Sequence, residues 1–243
     1  MTLPSEVQTF IDTLSKQYAN VEIKPKSSSK LMKAIGWLFG VTKISPEFMT
    51  RYITIIGSTI YFPDNMLANP DEESMLRTVA HETVHANDAK RFSAPLFSFL
   101  YLFPQSLGLL ALLSLLAFWK AGFIWCLLFL LCLAPLPAPF RYWFELRAYR
   151  MNILFCRKEN KLNDDEMILV YEWIEKQMTT SLYYWTWPFP NAIRKHLKDE
   201  SWMETGIYKA VNKWLITRRV AKKIASTKLA SGTQPREEGE HQS

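Results

Sequence analysis

Cysteine and histidine are both scarce in this sequence, with three and four residues among 243. Cys126, Cys132 and Cys156 are odd in number and unevenly spaced, which excludes a disulfide framework and a cysteine zinc ribbon and favours a reducing compartment. The N-terminal stretch MTLPSEVQTFIDTLSKQ lacks the apolar core of a secretory signal peptide. We therefore expect a protein that begins in the cytoplasm.

The charge balance is basic, with a net charge of +6 and a pI near 9.1. Such a surface suits an anionic membrane or a nucleic acid, and the charge alone does not separate the two. The sequence contains no recognised nucleic-acid motif, and many of its basic residues flank an apolar stretch. We therefore expect anionic membrane lipid as a partner and expect no nucleic acid.

Short segments with different periodicities predict an α+β fold. Apolar positions recur at helical spacing from residue 4 to 18, in SSSKLMKAIGWLFG and in NDDEMILVYEWIEKQMT. NVEIKP predicts a strand, and RYITIIGSTIYFP predicts either two short strands joined at Gly57 and Ser58 or one bulged strand. DNMLANPDEE has the composition of a helix start, with Asn69 as N-cap and Glu72 at the third helical position. The expected domain is mainly helical with a small sheet.

Residues 94–140 contain a single charged residue, Lys120. We predict a helical hairpin with its tip at WKAG, interrupted at Pro104 and ended by three prolines. Each arm of about 14 residues is shorter than the roughly 20 that span a bilayer, so spanning and shallow re-entry both stay open. A buried hairpin of a soluble protein is the alternative. Basic residues on both flanks predict that both ends, and the rest of the chain, face the cytoplasm.

These boundaries divide the chain into four parts. Residues 1–93 hold the N-terminal part of the main domain, and residues 94–140 are an apolar hairpin inserted into the membrane. Residues 141–216 form the C-terminal helical part. Residues 217–243 change from basic to polar, and we expect them to be a disordered tail.

The segment RTVAHETVHANDAKRF carries two histidines four residues apart, with a glutamate directly after the first. On an α-helix, His81 and His85 lie on one face and can bind one metal ion. Glu82 is rotated away from that face, where it can take a proton from an attacking water and pass it to a leaving amine. Apolar residues occupy the opposite arc. The alternative is a helix face with two solvated or core-satisfied histidines.

A third metal ligand must come from outside this helix. In the metzincin pattern, a glycine and a histidine would stand where this chain has Asp88 and Arg91. The remaining histidines are His196, in a basic helix, and His241, in the tail. Glu145 in FELRAY is the better candidate, because it lies in the first helix after the apolar hairpin.

With HETVH on one helix and ELRAY on a later one, the chain resembles the gluzincin metallopeptidases, some of which are membrane proteins with helical hairpins between these motifs. The segment TIIGSTIYFP resembles their edge strand along the substrate cleft. The resemblance implies a zincin-like metallopeptidase domain that binds one Zn²⁺ per chain through His81, His85 and Glu145, with Glu82 as the general base. Many gluzincins have an aspartate four residues after the glutamate ligand, where this chain has Tyr149.

Further polar residues are candidates for supporting roles. Asn87 or Asp88, close to one turn beyond the second histidine, can orient a ligand imidazole in place of the missing aspartate. Tyr183, Tyr184 and His196 are candidates to stabilise the oxyanion of the transition state. The alternative for each of them is a packing or surface role.

These patterns together predict a membrane-associated zinc metallopeptidase, an endopeptidase rather than an exopeptidase, that acts on a peptide or protein substrate. The predicted strands within residues 53–60 would bind an extended substrate as an added strand. The alternative is a non-catalytic zinc-binding structural or interaction protein at a membrane. The intact glutamate of the motif favours the enzyme.

Overall fold

In a computed structural model, which describes residues 3–43, 45–133, 136–180 and 186–230, the chain is mainly helical with one small sheet. The strands are β1 (Glu22–Pro25), β2 (Thr54–Ile56) and β3 (Thr59–Phe62). The α-helices are α1 (Ser5–Ser15), α2 (Lys30–Thr42), α3 (Asp64–Ala68), α4 (Glu72–Phe92), α5 (Ala94–Leu102), α6 (Pro139–Lys158), α7 (Asp164–Thr179), α8 (Pro190–Lys198) and α9 (Gly206–Ala230). Segments of 3₁₀ helix lie at Lys26–Ser28, Gln105–Phe118, Ala121–Leu133 and Ser201–Glu204. These elements confirm the predicted α+β class.

The sheet has three strands in the order β1, β3, β2. β1 pairs with β3 in parallel, and β2 pairs with β3 in antiparallel orientation with Ile55 opposite Ile60. The turn from β2 to β3 contains Gly57, whose φ of 61° lies in the left-handed region that glycine adopts without strain. The segment therefore forms two short strands rather than one bulged strand, and β2 lies at an edge of the sheet.

The core lies around α4 and α6, which pack against each other. Leu76 and Val79 of α4 and Ile153 and Leu154 of α6 are fully buried in one cluster, which α1, α7, α8 and α9 also line. Burying such a side chain contributes about 1.5–3 kcal/mol. The side chains between α4 and α6 are thus held by packing on several sides.

The start of α4 differs from the prediction. Its N-cap is Asp71, whose side chain accepts a hydrogen bond from the backbone N–H of Ser74. The predicted cap at Asn69 is wrong, because Asn69 instead ends the short helix α3. Only Asn69 and Pro70 separate the end of α3 from the cap of α4. An acidic cap with two glutamates in the first turn also suits the positive end of the helix dipole.

The apolar segment forms α5 followed by two long 3₁₀ segments that pack against each other. Among the residues that the structure describes, no single helix has the length and apolar composition to cross a bilayer, and α5 with Gln105–Leu116 passes only as a pair bent by 73°. The side chains near the tip point outward, with Phe118 83% and Trp119 75% exposed. These side chains near the tip are therefore not buried in the core of the chain.

α9 extends to Ala230, so residues 217–230 of the predicted disordered tail are helical. Residues 231–243 lie outside the described part of the chain. Within α9, Arg218 is buried and forms ion pairs with Glu6, Glu72 and Glu159. These carboxylates come from α1, α4 and the end of α6. One arginine therefore connects α9 to three other helices through ion pairs.

Candidate metal centre

Two packed helices supply the candidate ligands. α4 presents His81 and His85 one helical turn apart, and α6 presents Glu145. All three side chains are buried, with 9%, 4% and 1% of their surface exposed. The structure thus brings together the three residues that the sequence predicts as ligands, although the whole hairpin separates the two helices in sequence.

The geometry of this group fits a small divalent cation. His81 Nε2 lies 3.8 Å from Glu145 Oε2, and His85 Nε2 lies 3.7 Å from Glu145 Oε1. Both distances are too long for hydrogen bonds, and the candidate ligand atoms of the three residues lie within 4.8 Å of one another. Ligand atoms bound to a tetrahedral zinc ion lie roughly 3.4 Å apart. The two histidine–glutamate distances exceed this value by about 0.3–0.4 Å.

Burial fixes the protonation state of the two histidines. It lowers the pKa of His81 to about 4 and holds the pKa of His85 well below its usual value. The Asn152 side chain and the Ala148 backbone act in the opposite direction on the pKa of His81, whereas His81 and Arg147 lower the pKa of His85 further. Both imidazoles are therefore neutral near pH 7, which is the form of histidine that binds metal.

The two carboxyl groups of the centre have raised pKa values. Burial raises the pKa of Glu145 to about 7, and the Tyr101 hydroxyl and the Arg141 guanidinium act in the opposite direction. Burial and then the charge of Glu145 raise the pKa of Glu82 to about 8, although the Glu82 side chain keeps partial access to solvent. A cation between the histidines would favour the charged form of both carboxyl groups. Glu145 Oε2 has no hydrogen-bond partner among the described residues.

Aromatic side chains surround the ligand group. The ring of Tyr149 lies edge-on to His81 at 5.2 Å, and Phe97 and Tyr101 of α5 lie 6.1 Å and 5.9 Å from His85. The Tyr101 hydroxyl also donates a hydrogen bond to the third candidate ligand, the α6 glutamate. Tyr101 was not predicted from the sequence, where its only signal is a phenol hydroxyl within the apolar run SFLYLFP.

Asp88 is fully buried and forms an ion pair with Arg147 of α6. Neither His81 Nδ1 nor His85 Nδ1 has a hydrogen-bond partner among the described residues. The expectation that Asn87 or Asp88 orients a ligand imidazole is therefore wrong. The reason is that an arginine on the neighbouring helix binds the Asp88 carboxylate, which sequence spacing along α4 does not reveal.

The three candidates for oxyanion stabilisation have different outcomes. His196 is exposed on α8, and its Nδ1 lies 2.6 Å from the Tyr142 hydroxyl. Tyr142 stands on α6 about one turn before Glu145. His196 is thus joined to the helix of the third ligand rather than to a ligand side chain. Tyr183 and Tyr184 lie outside the described residues.

A cavity of about 190 Å³ lies beside α4, on the N-terminal side of the histidines. Ile53 and Phe62 from the strand region line one side of it, and Met75 and Thr78 of α4 line the other. Thr78 is four residues before Glu82 and shares its helix face. The cavity therefore lies between the sheet and the face of α4 that carries Glu82.

The centre thus consists of two neutral imidazoles and one carboxyl group that could hold a metal ion, with a second carboxyl group adjacent in sequence to the first histidine. Imidazole and carboxylate together suit several divalent metals, zinc among them. Comparison of the chain with known protein families, with curated proteins and with solved structures finds no match.

Proposed function

We propose that the protein is a zinc-dependent metallopeptidase with a zincin-like domain of the gluzincin type. The observation that carries this proposal is the convergence of His81, His85 and Glu145 at one buried point. Two histidines and one glutamate form the ligand set of several catalytic zinc sites, which keep a fourth position for water or substrate. A structural zinc site instead has four protein ligands, and the described residues offer three.

The residues around the metal then have separate roles. His81, His85 and Glu145 would hold a zinc ion, which would supply Lewis-acid chemistry toward water and the scissile carbonyl. Glu82 acts as the general base, taking a proton from the attacking water and delivering it to the leaving amine. Its partial access to solvent and its raised pKa, which lies near neutral pH, suit this exchange of a proton. Its place in the sequence keeps it beside the centre and outside the ligand set.

For the developing oxyanion, we assign the hydrogen-bonded pair of His196 and Tyr142 as the donor. The pair is fixed to α6 near the third ligand, and Tyr142 also stacks on Trp187 with ring centroids 4.7 Å apart. A donor held by packing and by a hydrogen bond is preorganised, as oxyanion stabilisation requires. Tyr183 and Tyr184 stay candidates for the same role.

The substrate in this proposal is an extended peptide or protein segment. β2 lies at a sheet edge and contacts α4, so a peptide paired with β2 would run alongside the helix of the two histidines. One of its side chains would enter the cavity lined by Phe62 and Met75. Pairing with a strand edge does not require a chain terminus, which favours endopeptidase over exopeptidase activity.

We also propose that the enzyme is held at a membrane through the hairpin, with its catalytic part on the cytoplasmic side. Phe118, Trp119 and Trp125 at the tip are each at least 75% exposed, which is costly in water for so many large apolar side chains. Basic residues at both ends of the hairpin suit anionic lipid. The ligand Glu145 stands on the helix that directly follows it.

The alternative is a non-catalytic zinc-binding structural or interaction protein at a membrane. This alternative has the same ligand set, but Glu82 would have no catalytic role in it. The raised pKa of Glu82 favours the enzyme, because a purely structural site gains nothing from a second carboxyl group with a raised pKa beside the metal.

The test compares zinc content and peptide hydrolysis in three proteins. The wild type should bind about one zinc per chain, and Glu145→Ala should lose it. Glu82→Gln should keep the zinc and lose hydrolysis of a fluorogenic peptide library by about 10²–10⁴-fold. Glu73→Gln, an exposed glutamate on the same helix, is the matched control and should change neither quantity.

The outcomes separate the two functions. Zinc in the wild type with no hydrolysis of any peptide supports the non-catalytic protein. A wild type that binds no zinc after reconstitution contradicts both functions and leaves HETVH as part of a helix face.

A further inference from the structure

α2 carries large apolar side chains on the outside of the protein. Leu31, Trp37, Leu38 and Val41 are 53%, 70%, 49% and 63% exposed. At about 100° of rotation per residue, these positions share one continuous arc of the helix, with Ala34 inside the same arc. Single exposed apolar residues are ordinary, but a contiguous apolar face marks a contact surface.

The opposite face of α2 is packed against the protein and fixes which side is exposed. Met32 is fully buried, and the ring of Phe39 meets that of Phe48 at 5.3 Å. Gly36 allows close approach, because a Cβ there would come within 2.6 Å of the Met49 side chain. The helix therefore cannot rotate its apolar arc inward without breaking these contacts.

Lys33 lies at the border of the apolar arc and Lys30, in the first turn of the helix, lies within it, with no acid among them. From residue 23 to 46 the chain contains five lysines and no aspartate or glutamate. Lys30, Lys33 and Lys43 are exposed, whereas Lys26 is buried, with its ammonium donating to the Phe48 carbonyl. An exposed lysine can rest its apolar stem along the arc while its ammonium group reaches outward.

We propose that α2 is an interfacial helix that binds the surface of an anionic lipid bilayer, as a contact separate from the hairpin. An amphipathic helix with lysines and a tryptophan lies in the bilayer interface, with its apolar face about 5–10 Å deep. Trp37, the most exposed apolar residue of α2, has the side chain that prefers this depth. The inference does not depend on peptidase activity or on zinc.

The charge of α2 favours lipid over a second copy of the chain as the occupant. Two copies joined through this arc would place Lys30 and Lys33 of each in a contact where α2 offers no carboxylate to pair with them. Anionic headgroups instead pair with these lysines, and each lysine near such a surface strengthens binding about fivefold.

The test places an environment-sensitive dye on the full-length chain at Leu38→Cys, with Cys126 and Cys132 replaced by serine. Cys156 is buried and stays. The protein is combined with vesicles of phosphatidylcholine alone or mixed with phosphatidylglycerol, each containing a lipid with a quencher on its acyl chain. Asp165→Cys, exposed on the acidic start of α7, is the matched control position.

The dye at position 38 should shift to the blue in the mixed vesicles and be quenched several-fold more than the dye at position 165. Replacing Lys30 and Lys33 by glutamine should weaken this binding about fivefold for each lysine. Val41→Cys, a second labelling site on the arc, should behave like position 38.

Three results would overturn the proposal. The first is quenching at positions 38 and 41 that is no greater than at position 165. The second is a blue shift of the dye that disappears when the protein is diluted into excess lipid. That result would identify a second copy as the occupant. The third is equal quenching in both vesicle types with no effect of the lysine replacements.

Discussion

The Tyr101 hydroxyl donates a hydrogen bond to Glu145 and so joins the first helix of the apolar segment to the third candidate metal ligand. The Arg141 guanidinium lies 4.7 Å from the centre of the Tyr101 ring. Both residues lower the pKa of Glu145 against the effect of burial. The packing of α5 therefore affects the protonation state of Glu145, the third candidate ligand.

Replacing this hydroxyl tests the link. Tyr101→Phe keeps the ring against His85 and removes the hydrogen bond, so the pKa of Glu145 should rise further. We expect zinc affinity near neutral pH to fall about tenfold, as is typical when a partner of a metal ligand is lost. Competition with a chromogenic chelator measures it. Tyr52→Phe, at an exposed tyrosine, is the control, and an equal loss in both variants would contradict the assignment.

Zinc affinity should depend on pH through one ligand. The metal-free protein holds a proton on Glu145 below pH 7, because burial raises its pKa to about 7, whereas His81 has a pKa of about 4. Zinc must displace the Glu145 proton, so in the Glu82→Gln variant, which lacks the other carboxyl group with a raised pKa, affinity should rise about tenfold for each pH unit up to about pH 7 and then level. Titrations corrected for chelator protonation measure this slope. A slope near 100-fold per unit would mean that a histidine also loses a proton.

The buried pair of Asp88 and Arg147 should stabilise the packing of α4 on α6. Asp88→Ala leaves a mostly buried guanidinium without its carboxylate, and we expect the free energy of unfolding to fall by about 3 kcal/mol. The double variant Asp88→Ala with Arg147→Met should be less destabilised than the single one, because no buried charge is left unpaired. Urea unfolding of the three proteins measures this. A double variant less stable than Asp88→Ala would contradict the explanation.

Arg218 should contribute more to the stability of the fold than its position in a run of basic residues suggests. Arg218→Met removes the common partner of three glutamates, and we expect a loss of about 3 kcal/mol in the free energy of unfolding. Lys213→Met, at an exposed lysine of the same helix, should change stability by less than about 0.5 kcal/mol. Thermal or urea unfolding measures both changes. If α9 were not held by these ion pairs, the two variants would have the same stability, which would contradict the prediction.

The candidate ligand group could be predicted from sequence, because local periodicity indicates the two histidines and the order of the segments indicates the glutamate. Two histidines four residues apart share a helix face in any α-helix, and Glu145 follows from its place on the next helix after the hairpin. Tyr101 could not be predicted, because its contact depends on how α5 folds back onto α6. The Asp88 ion pair was missed for the same reason.

The fold shows the same division between local and long-range information. The predicted strands follow local sequence rules and are confirmed. The Ser29 cap of α2 and the Asn163 capping box of α7 obey the same kind of local rule. The extent of α9 was missed, because RRVAKK has the composition of a solvated segment. Only the folded chain shows that Arg218 meets carboxylates from three distant helices.

The edge strand β2 is only three residues long. A segment paired with it can form few backbone hydrogen bonds, each worth about 0.5–1.5 kcal/mol net. A segment bound to so short an edge should therefore dissociate rapidly. A short edge strand is also a poor template for repeated edge-to-edge pairing between molecules. The protein can therefore keep an exposed edge strand without forming fibrils.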